Sequence, residues 1–444
     1  MNVLFLTLLL LLGFGILIVL RKNLAFFSLP MFFIAYKIKL TFFGIPWNVL
    51  EIFIDALFFY WLVSMLLTER EVLWAFIKKE FSPKSPTVLW GLFVFVAALG
   101  ILTIPKQVLF QTGIPASPIE TFDSLKTALG ILKTWLIPAW LFIILARFYC
   151  TTLLDGRRLL LSYVLGAFFV AALSLIWRYI LHYPDTIDDR LGGVFVSANY
   201  LIFFVAPAMI YTALYILEAY KALGSYAFHE KQVQLFLVIL PVLTGAFLLG
   251  KSYGSWIAVG ICLLLYGLWN FTVKQKIISA AIFVLLAAGL LSTEAGSKKF
   301  TTFFETQDQS STSTRLEVYD ISTDLLKDNW LTGIGVGQYE AQYKVNAVRV
   351  LGKTPYEWVM LHPHNLYLSI WLSVGIFGLL LFLIMLWDSI ASFFYSRDWL
   401  FFTPLLYILL HGVVDTPFWK MDMILIFVML YVVLISLRPA NDKE

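Results

Sequence analysis

The stretch LHPHNLYLSIWLSVGIFG, residues 361–378, marks the point where a long polar segment gives way to a long apolar one. Two of the chain's five histidines, His362 and His364, stand at that boundary. The apolar run continues to about residue 387, which is long enough for a helix to cross roughly 30 Å of hydrocarbon. The stretch therefore predicts a membrane helix that begins at a polar corner on one side of a membrane.

The composition of the whole chain agrees with a membrane protein. Of its 444 residues, 60% are hydrophobic and 14% are charged, whereas soluble domains are nearer one half apolar and one quarter charged. The alternating ten-residue segments of a transmembrane barrel are not seen, and no basic block suggests a nucleic-acid partner. The sequence predicts an all-α polytopic membrane protein with 12–13 transmembrane helices. The predicted helices lie at about 3–20, 24–40, 48–67, 87–105, 129–147, 159–181, 196–218, 233–250, 254–271, 277–292, 364–387, 399–416 and 421–437.

Basic residues are concentrated in alternate connections between these helices, beginning with Arg21 and Lys22. These two residues follow the first helix instead of preceding it, so we expect a retained span and not a signal peptide. Because cytoplasmic loops carry the excess of Lys and Arg, this set of connections and the C-terminus are predicted to be cytoplasmic. The chain then divides into an N-terminal group of transmembrane helices, one large extracytoplasmic loop, and C-terminal transmembrane helices with a short tail. These parts are residues 1–292, 293–363 and 364–444.

The large outer loop is expected to be partly helical. Ser313 or Thr314 could cap a first helix, and a second amphipathic helix is predicted at about 338–350. The glycine-rich run Gly333–Gly337 separates the two helices and is read as a turn that lets the backbone approach a neighbour closely.

The polar corner that precedes the histidine helix suits an anionic ligand. Pro363 favours the first turn of a helix, which places His364 and Asn365 at its outer N-terminus. Free N–H groups and partial positive charge at that end favour a phosphate and disfavour imidazolium, so His364 would be able to accept a proton. Gly375 and Gly378 point in nearly the same direction as His364 and would let another helix approach. The alternative is an ordinary polar residue at a membrane interface.

Three further residues are functional candidates near the outer surface. Arg315 opens the first outer helix, where a cation is unfavourable, and its guanidinium could bind a phosphate in a bidentate way or be a solvated surface charge. Lys251 lies in the tight hairpin Leu249–Trp256, either as a cation held at the membrane surface or as an end-of-helix lysine that snorkels. Asp415, at the outer end of the twelfth helix, could orient a histidine or pair with Lys420.

Other charged residues are weaker candidates. Arg190 follows Asp188 and Asp189, which could hold a divalent metal but are more simply read as a solvated turn. Glu51 and Asp55 share a helix face inside the third predicted span, where pairing with a lysine such as Lys133 is as plausible as catalysis.

Taken together, these segments resemble the O-antigen ligase and O-antigen polymerase superfamily of membrane glycosyltransferases. The family signature is His-Asn, nine residues, Gly, two residues, Gly, and residues 364–378 fit it. The loop Thr314–Gly335 is similar to the family's loop arginine followed by a glycine-rich turn, and Arg190–Phe195 with Asn199 is similar to another family segment. A large outer loop just before the histidine helix also agrees, so the resemblance covers roughly 185–420.

The resemblance implies a reaction and assigns roles. A glycan on undecaprenyl diphosphate would be transferred to a sugar hydroxyl at the outer, periplasmic face of the bacterial inner membrane. By position in the family pattern, His364 would be the general base, Asp415 its acidic partner and Arg315 a diphosphate ligand. Because diphosphate is a good leaving group and cationic side chains can stabilise it, neither a metal nor another cofactor is expected.

The family's hairpin usually carries an arginine where Tyr253 stands here. The second diphosphate contact is therefore assigned to Lys251, with Arg190 as a third. Supporting roles are expected for His362, Asn365 and Tyr253.

Two choices stay open at this point. The acceptor could be lipid A-core, which defines a ligase, or a second lipid-linked repeat, which defines a polymerase. The single outer loop, which holds the best candidates, favours a ligase, whereas the Arg190 segment favours a polymerase. A lipid or polysaccharide transporter would need polar groups deep in several helices, and a non-enzymatic scaffold would not require His364.

Overall fold

The computed structural model of the protein describes residues 3–42, 45–111, 119–182, 190–294, 311–416 and 421–436. Within these ranges the chain is almost entirely helical. Eight of the helical segments are long and apolar enough to cross a membrane, and three more apolar helices are shorter. The predicted all-α polytopic membrane fold is thereby confirmed.

The helices, in chain order, are α1 Val3–Ser28, α2 Val49–Thr68, α3 Arg70–Glu80, α4 Pro86–Ile101, α5 Ser124–Ile131, α6 Ile137–Tyr149, α7 Leu153–Tyr179, α8 Ala198–Leu223, α9 Lys231–Leu249, α10 Tyr253–Asn270, α11 Val273–Glu294, α12 Ser311–Asn329, α13 Tyr339–Leu351, α14 Leu366–Ser396, α15 Trp399–His411 and α16 Met421–Ser436. A single π turn, Leu132–Leu136, joins α5 to α6. Two antiparallel strand pairs are also present: β1 Lys39–Phe42 with β2 Ile45–Asn48, and β3 Val108–Gln111 with β4 Ile119–Phe122. A 3₁₀ segment, Gly224–His229, follows α8.

The first two predicted spans form one kinked unit. Helix α1 is interrupted at Arg21, whose backbone angles are φ −150° and ψ 71°. Beyond that residue it continues to Ser28 and then tightens into a 3₁₀ helix, Leu29–Lys37. The break lies where the sequence placed the connection between the two spans, but no separate loop divides them.

Two helices form the centre of the bundle. Every side chain of α8 from Leu201 to Thr212 is buried, and so is every side chain of α16 from Met423 to Ile435. Helices that are apolar all round are expected in such positions. In contrast, Leu12, Val19 and Leu20 of α1 are more than half exposed, as expected for side chains that face lipid.

The outer helices α12 and α13 build a small core of their own. It contains Val318, Ile321, Tyr339 and Tyr343, and it is closed on the membrane side by Leu372 of α14. Helix α12 already includes Ser313 and Thr314, so the prediction that one of them caps it is wrong. The second predicted loop helix is present as α13.

The glycine-rich turn is inserted into a break in α14. Gly375 has φ 68° and ψ −173° in the middle of this helix, a conformation that is essentially restricted to glycine. The Ile376 N–H donates to the Leu331 carbonyl at 3.2 Å, and the Ile334 N–H donates to the Leu372 carbonyl at 2.6 Å. We call residues 331–334 together with residues 372–376 the loop–helix junction.

Both glycines at the loop–helix junction are required by space. A Cβ on Gly375 would overlap the Leu331 carbonyl oxygen, and a Cβ on Gly333 would lie 2.7 Å from the Gly375 nitrogen. The sequence predicted a close approach at Gly375, and the partner is the outer loop's backbone instead of another helix. The junction fixes the outer helices to the helix that follows His364.

Candidate active site

His364 stands immediately before a capped helix. Asn365 is the N-cap of α14, and its side-chain oxygen accepts from the Leu368 N–H at 2.9 Å. The amide of Asn365 also donates to the Val413 carbonyl at 2.9 Å, which ties this corner to the turn after α15. The helix therefore begins two residues later than the first-turn argument for Pro363 suggested. His364 lies outside the helix with φ 49°, in the left-handed region that residues other than glycine rarely adopt.

His364 is hydrogen-bonded to a buried carboxylate. Its Nδ1 lies 3.3 Å from Oδ1 of Asp415, which is 4% exposed at the side chain while His364 is 25% exposed. Asp415 is held by a 2.7 Å bond from the Thr416 N–H. Asp415 follows α15, which ends at His411, and so lies in the turn beyond the helix instead of in its last turn. The sequence offered a histidine as one possible partner of Asp415, and the family resemblance named His364; the structure brings the two residues together.

A chain of hydrogen bonds continues from Asp415 to a predicted cation. The amide of Asn199 donates to Oδ2 of Asp415 at 2.9 Å, and a guanidinium nitrogen of Arg190 donates to the Asn199 amide oxygen at 3.0 Å. Both oxygens of the carboxylate are therefore occupied. This arrangement fixes the orientation of Asp415 and leaves the acidic group with no rotational freedom to move away from His364.

Asp415 stays ionised in this setting. Burial alone would raise the pKa of Asp415, but the hydrogen bond from His364 and the charges of the nearby histidines outweigh that effect. The pKa of Asp415 therefore lies well below its usual range. An ionised Asp415 favours a proton on Nδ1 of His364, which leaves Nε2 with the lone pair that a general base needs.

His362 forms the second half of the histidine corner. Its ring centre lies 4.6 Å from that of His364, edge to face, and its Nδ1 accepts from the His364 backbone N–H at 3.4 Å. The hydroxyl of Tyr200 lies 3.4 Å from Nε2 of His362. His362 thus supports the unusual backbone of its neighbour and connects it to α8.

Arg315 reaches the corner through the outer helix α12. One turn after it, the Tyr319 hydroxyl donates to the His364 carbonyl at 3.2 Å. Burial raises the pKa of Tyr319 and the positive charge of Arg315 opposes that rise, so the two side chains are close. Within the described part of the chain, the buried Nε of Arg315 has no hydrogen-bond partner. A half-buried guanidinium with an unused donor is suited to an anionic group.

Lys251 lies in a turn that packs against the segments of Arg190 and Asp415. It lies between α9 and α10 with φ 44°. Just before it, the Leu249 carbonyl accepts from the Leu191 N–H at 3.1 Å, next to Arg190. Just after it, Gly254 packs so tightly that a Cβ there would lie 2.9 Å from the side chain of Val414, the neighbour of Asp415. The turn that carries Lys251 is thus packed between the Arg190 segment and the Asp415 segment.

Tyr253 packs against a neighbouring aromatic ring at the start of α10. It is the first residue of α10, and its ring centre lies 5.5 Å from that of Trp256. This aromatic pair shapes the hairpin in which Lys251 stands.

A cavity of about 320 Å³ opens beside the histidines, on the His362 side. Aromatic residues from four elements line it: Phe122 of β4, Trp135 of the π turn, Tyr200 of α8 and Tyr339 of α13. Glu340 and Ser369 add polar groups. The cavity is therefore large enough to hold part of a ligand beside the two histidines.

The same corner has the donor set of a metal site. His362, His364 and Asp415 each offer one ligand atom, and these atoms lie within 4.8 Å of one another. Two imidazoles and one carboxylate are suitable ligands for Zn²⁺. The expectation that the protein works without a metal remains a prediction, and chelation tests it.

Two weaker sequence candidates fall elsewhere. Lys133, in the π turn, forms a 2.6 Å ion pair with the buried Glu51, and its nitrogen lies 3.6 Å above the ring of Trp47. This is the structural pairing that the sequence left open as one alternative. Asp188 and Asp189 lie outside the described residues, as does Lys420.

Three participants were not assigned roles from the sequence. Asn199, Tyr200 and Tyr319 contact Asp415, His362 and the backbone of His364, respectively. Asn199 was visible only as part of the segment that begins at Arg190. The other two are tyrosines in apolar or amphipathic helices, a pattern that gives no functional signal by itself.

Comparison with known proteins agrees with this geometry. A family model described as O-antigen ligase matches residues 236–383, which include most of α9, all of α10, Arg315, the loop–helix junction and both histidines of the corner. A comparison with curated proteins finds no match to the chain. The match supports the resemblance drawn from residues 364–378: residues 236–383 of the chain are similar to the O-antigen ligase superfamily of membrane glycosyltransferases.

Proposed function

We propose that the protein transfers a glycan from a polyprenyl diphosphate to a sugar hydroxyl, with His364 as general base. The observation that carries the proposal is the 3.3 Å contact between Nδ1 of His364 and the ionised, fully engaged Asp415. Around this pair, three separate segments supply the cations Arg190, Lys251 and Arg315. The arrangement offers both a base for a hydroxyl and positive charge for a diphosphate.

The chemistry follows from the positions. The acceptor hydroxyl loses its proton to Nε2 of His364 as its oxygen attacks the anomeric carbon of the donor sugar. The bond from that carbon to the diphosphate oxygen breaks, and the diphosphate leaves with the electron pair. Arg315 and Lys251 stabilise the charge that develops on the leaving group. Asp415 stabilises the imidazolium that forms. A single displacement of this kind inverts the anomeric centre.

Arg190 has a different part in this scheme. Its guanidinium donates to Asn199, so it acts on the base through the Asn199–Asp415 contact. A guanidinium has five N–H donors, and the others can serve the diphosphate.

The favoured acceptor is lipid A-core, which makes the protein an O-antigen ligase of lipopolysaccharide biosynthesis. A polymerase that joins two lipid-linked repeats would use the same base and the same cations. The basic residues in alternate connections favour a multi-pass protein of the bacterial inner membrane with this site on the periplasmic side.

The first experiment measures transfer by the purified protein from a polyprenyl-diphosphate-linked glycan. We expect His364→Ala to lower the rate by 10²-fold or more, as loss of a general base does. The matched control is His182→Ala, because His182 is exposed and has nearly the same φ angle, 51°. Full activity in a folded His364→Ala protein would overturn the mechanism.

The acceptor is identified by a second experiment. Deletion of the gene is expected to leave polysaccharide chains of normal length on the lipid carrier if the protein is a ligase. Single repeats on the lipid anchor would identify a polymerase. In vitro, lipid A-core and a second lipid-linked repeat are offered separately as acceptors.

A further inference from the structure

A recess of about 490 Å³ lies at the break in α1, against the second half of α2. The first turn of α2 lies at the end of the bundle that carries the candidate active site. There Glu51 pairs with Lys133, and Trp135, two residues on, lines the cavity beside His362. The recess is lined instead by Tyr60 and Ser64, three and four turns along α2, and so lies toward the opposite end of the bundle.

The break in α1 is held open by contacts with α2. The Tyr60 hydroxyl donates to the Val19 carbonyl at 3.3 Å, and this carbonyl lies two residues before the break at Arg21. The ammonium of Lys22 donates to the Ser64 hydroxyl at 3.2 Å. The distorted backbone at Arg21 is therefore stabilised by side chains of the neighbouring helix, and two cations are presented side by side.

The recess has the charge of an anion site and the surroundings of a lipid site. Arg21 and Lys22 line it, and among the residues that the structure describes none of those lining it is acidic. The aliphatic side chains at its edge, Val19, Leu20 and Leu24, are 63%, 73% and 52% exposed. Cations above exposed aliphatic side chains match a molecule that has an anionic head and apolar tails.

We propose that this recess binds the headgroup of an anionic glycerophospholipid. The phosphate accepts hydrogen bonds from the guanidinium of Arg21 and the ammonium of Lys22, and Asn23 and Ser64 offer further polar contacts. The acyl chains lie along the exposed side of α1. Basic pockets between transmembrane helices at a membrane surface bind anionic headgroups by the same physics. The site is independent of the transfer reaction.

The test measures lipid retention and thermal unfolding of the delipidated full-length protein. The probes are phosphatidylglycerol, phosphatidylcholine and inorganic phosphate. We expect phosphatidylglycerol to be retained and to raise the unfolding temperature, and the other two probes to have little effect. The double variant Arg21→Gln/Lys22→Gln should bind phosphatidylglycerol at least tenfold more weakly, because both cationic contacts to the phosphate are lost.

The matched control is Lys78→Gln/Lys79→Gln, which removes two adjacent exposed lysines from the last turn of α3 and should leave binding unchanged. If the double variant at the recess does not fold, the single variant Arg21→Gln serves, because Arg21 is exposed. Equal retention in the recess variant and the wild type would overturn the proposal. Stabilisation by inorganic phosphate as large as that by phosphatidylglycerol would also overturn it, because the site would then take a small anion.

Discussion

Replacing Gly375 by alanine tests whether the loop–helix junction holds the site together. The backbone of Gly375 is in a region that costs a non-glycine residue about 1–3 kcal/mol. The added Cβ would overlap the Leu331 carbonyl oxygen, which is backbone and has little freedom to move. The loop must then withdraw, and the bonds from Ile334 to Leu372 and from Ile376 to Leu331 are lost.

The expected magnitude follows from these terms. Two backbone hydrogen bonds contribute about 1 kcal/mol each, which with the backbone cost gives about 3–5 kcal/mol. Because 1.4 kcal/mol is a factor of ten, opening of the junction should become roughly 10²- to 10³-fold easier. Amide hydrogen exchange at Ile334 and Ile376 measures this directly. Transfer should fall with it, because the helix that carries Arg315 is no longer fixed relative to His364.

The control for this variant is Gly245→Ala. Gly245 lies within α9, has no neighbouring atom within 4 Å of an added Cβ, and should be neutral or slightly stabilising as alanine. Unchanged exchange protection at Ile334 and Ile376 in a Gly375→Ala protein would refute the reasoning. So would equal effects of the two alanine variants.

Three other predictions concern the chemistry. Arg315→Lys should lower transfer roughly ten- to a hundred-fold through loss of charged hydrogen bonds to the diphosphate, whereas Arg349→Lys, an exposed arginine on α13, should retain the wild-type rate. Because the pKa of Asp415 is depressed, its ionised form persists above its ordinary value of 3.8 and its stabilising contribution is lost only as the pH falls below that value. Asp415→Asn should therefore lower the rate at both pH 6 and pH 8, because the carboxylate is ionised at both; a wild-type rate at either pH would contradict its role. Transfer should survive EDTA, and a loss that Zn²⁺ restores would make His362 a metal ligand.

The membrane helices could be predicted from the sequence because their signal is local. An apolar run of about twenty residues determines a span wherever its neighbours lie. The features of the spans that could not be predicted are the irregularities of their backbone. The 3₁₀ segment Leu29–Lys37 and the π turn Leu132–Leu136 depend on tertiary contacts, such as the one between Lys133 and Glu51.

The spacing of the glycines in α14 predicted a close approach at Gly375, but the neighbour expected there was a helix and the neighbour found is the backbone of the outer loop. Helical geometry places Gly375 and Gly378 near the His364 direction, which suggested a second helix. The actual break at Gly375 removes the regular geometry on which that calculation depends. Only the structure shows that the turn containing Gly333 occupies the break, because Gly333 and Gly375 are far apart in the chain.

In the candidate site, too, some residues could be predicted from the sequence, whereas the contacts between them could not. His364, Arg315 and Lys251 are polar residues at helix ends, so their sequence positions already mark them. The link from Asp415 through Asn199 to Arg190 depends on three separate segments and on hydrogen bonds that no periodicity encodes.

The left-handed backbone of His364 has a practical consequence for the study of this protein. Alanine at this position pays a steric cost that glycine does not, so His364→Gly removes the imidazole while leaving the backbone unstrained. The space vacated by the ring would remain next to Asp415 and open to solvent on one side. A diffusible imidazole of chosen concentration and basicity would fit this space, and recovery of transfer by added imidazole would test the proposed role of His364 as the base.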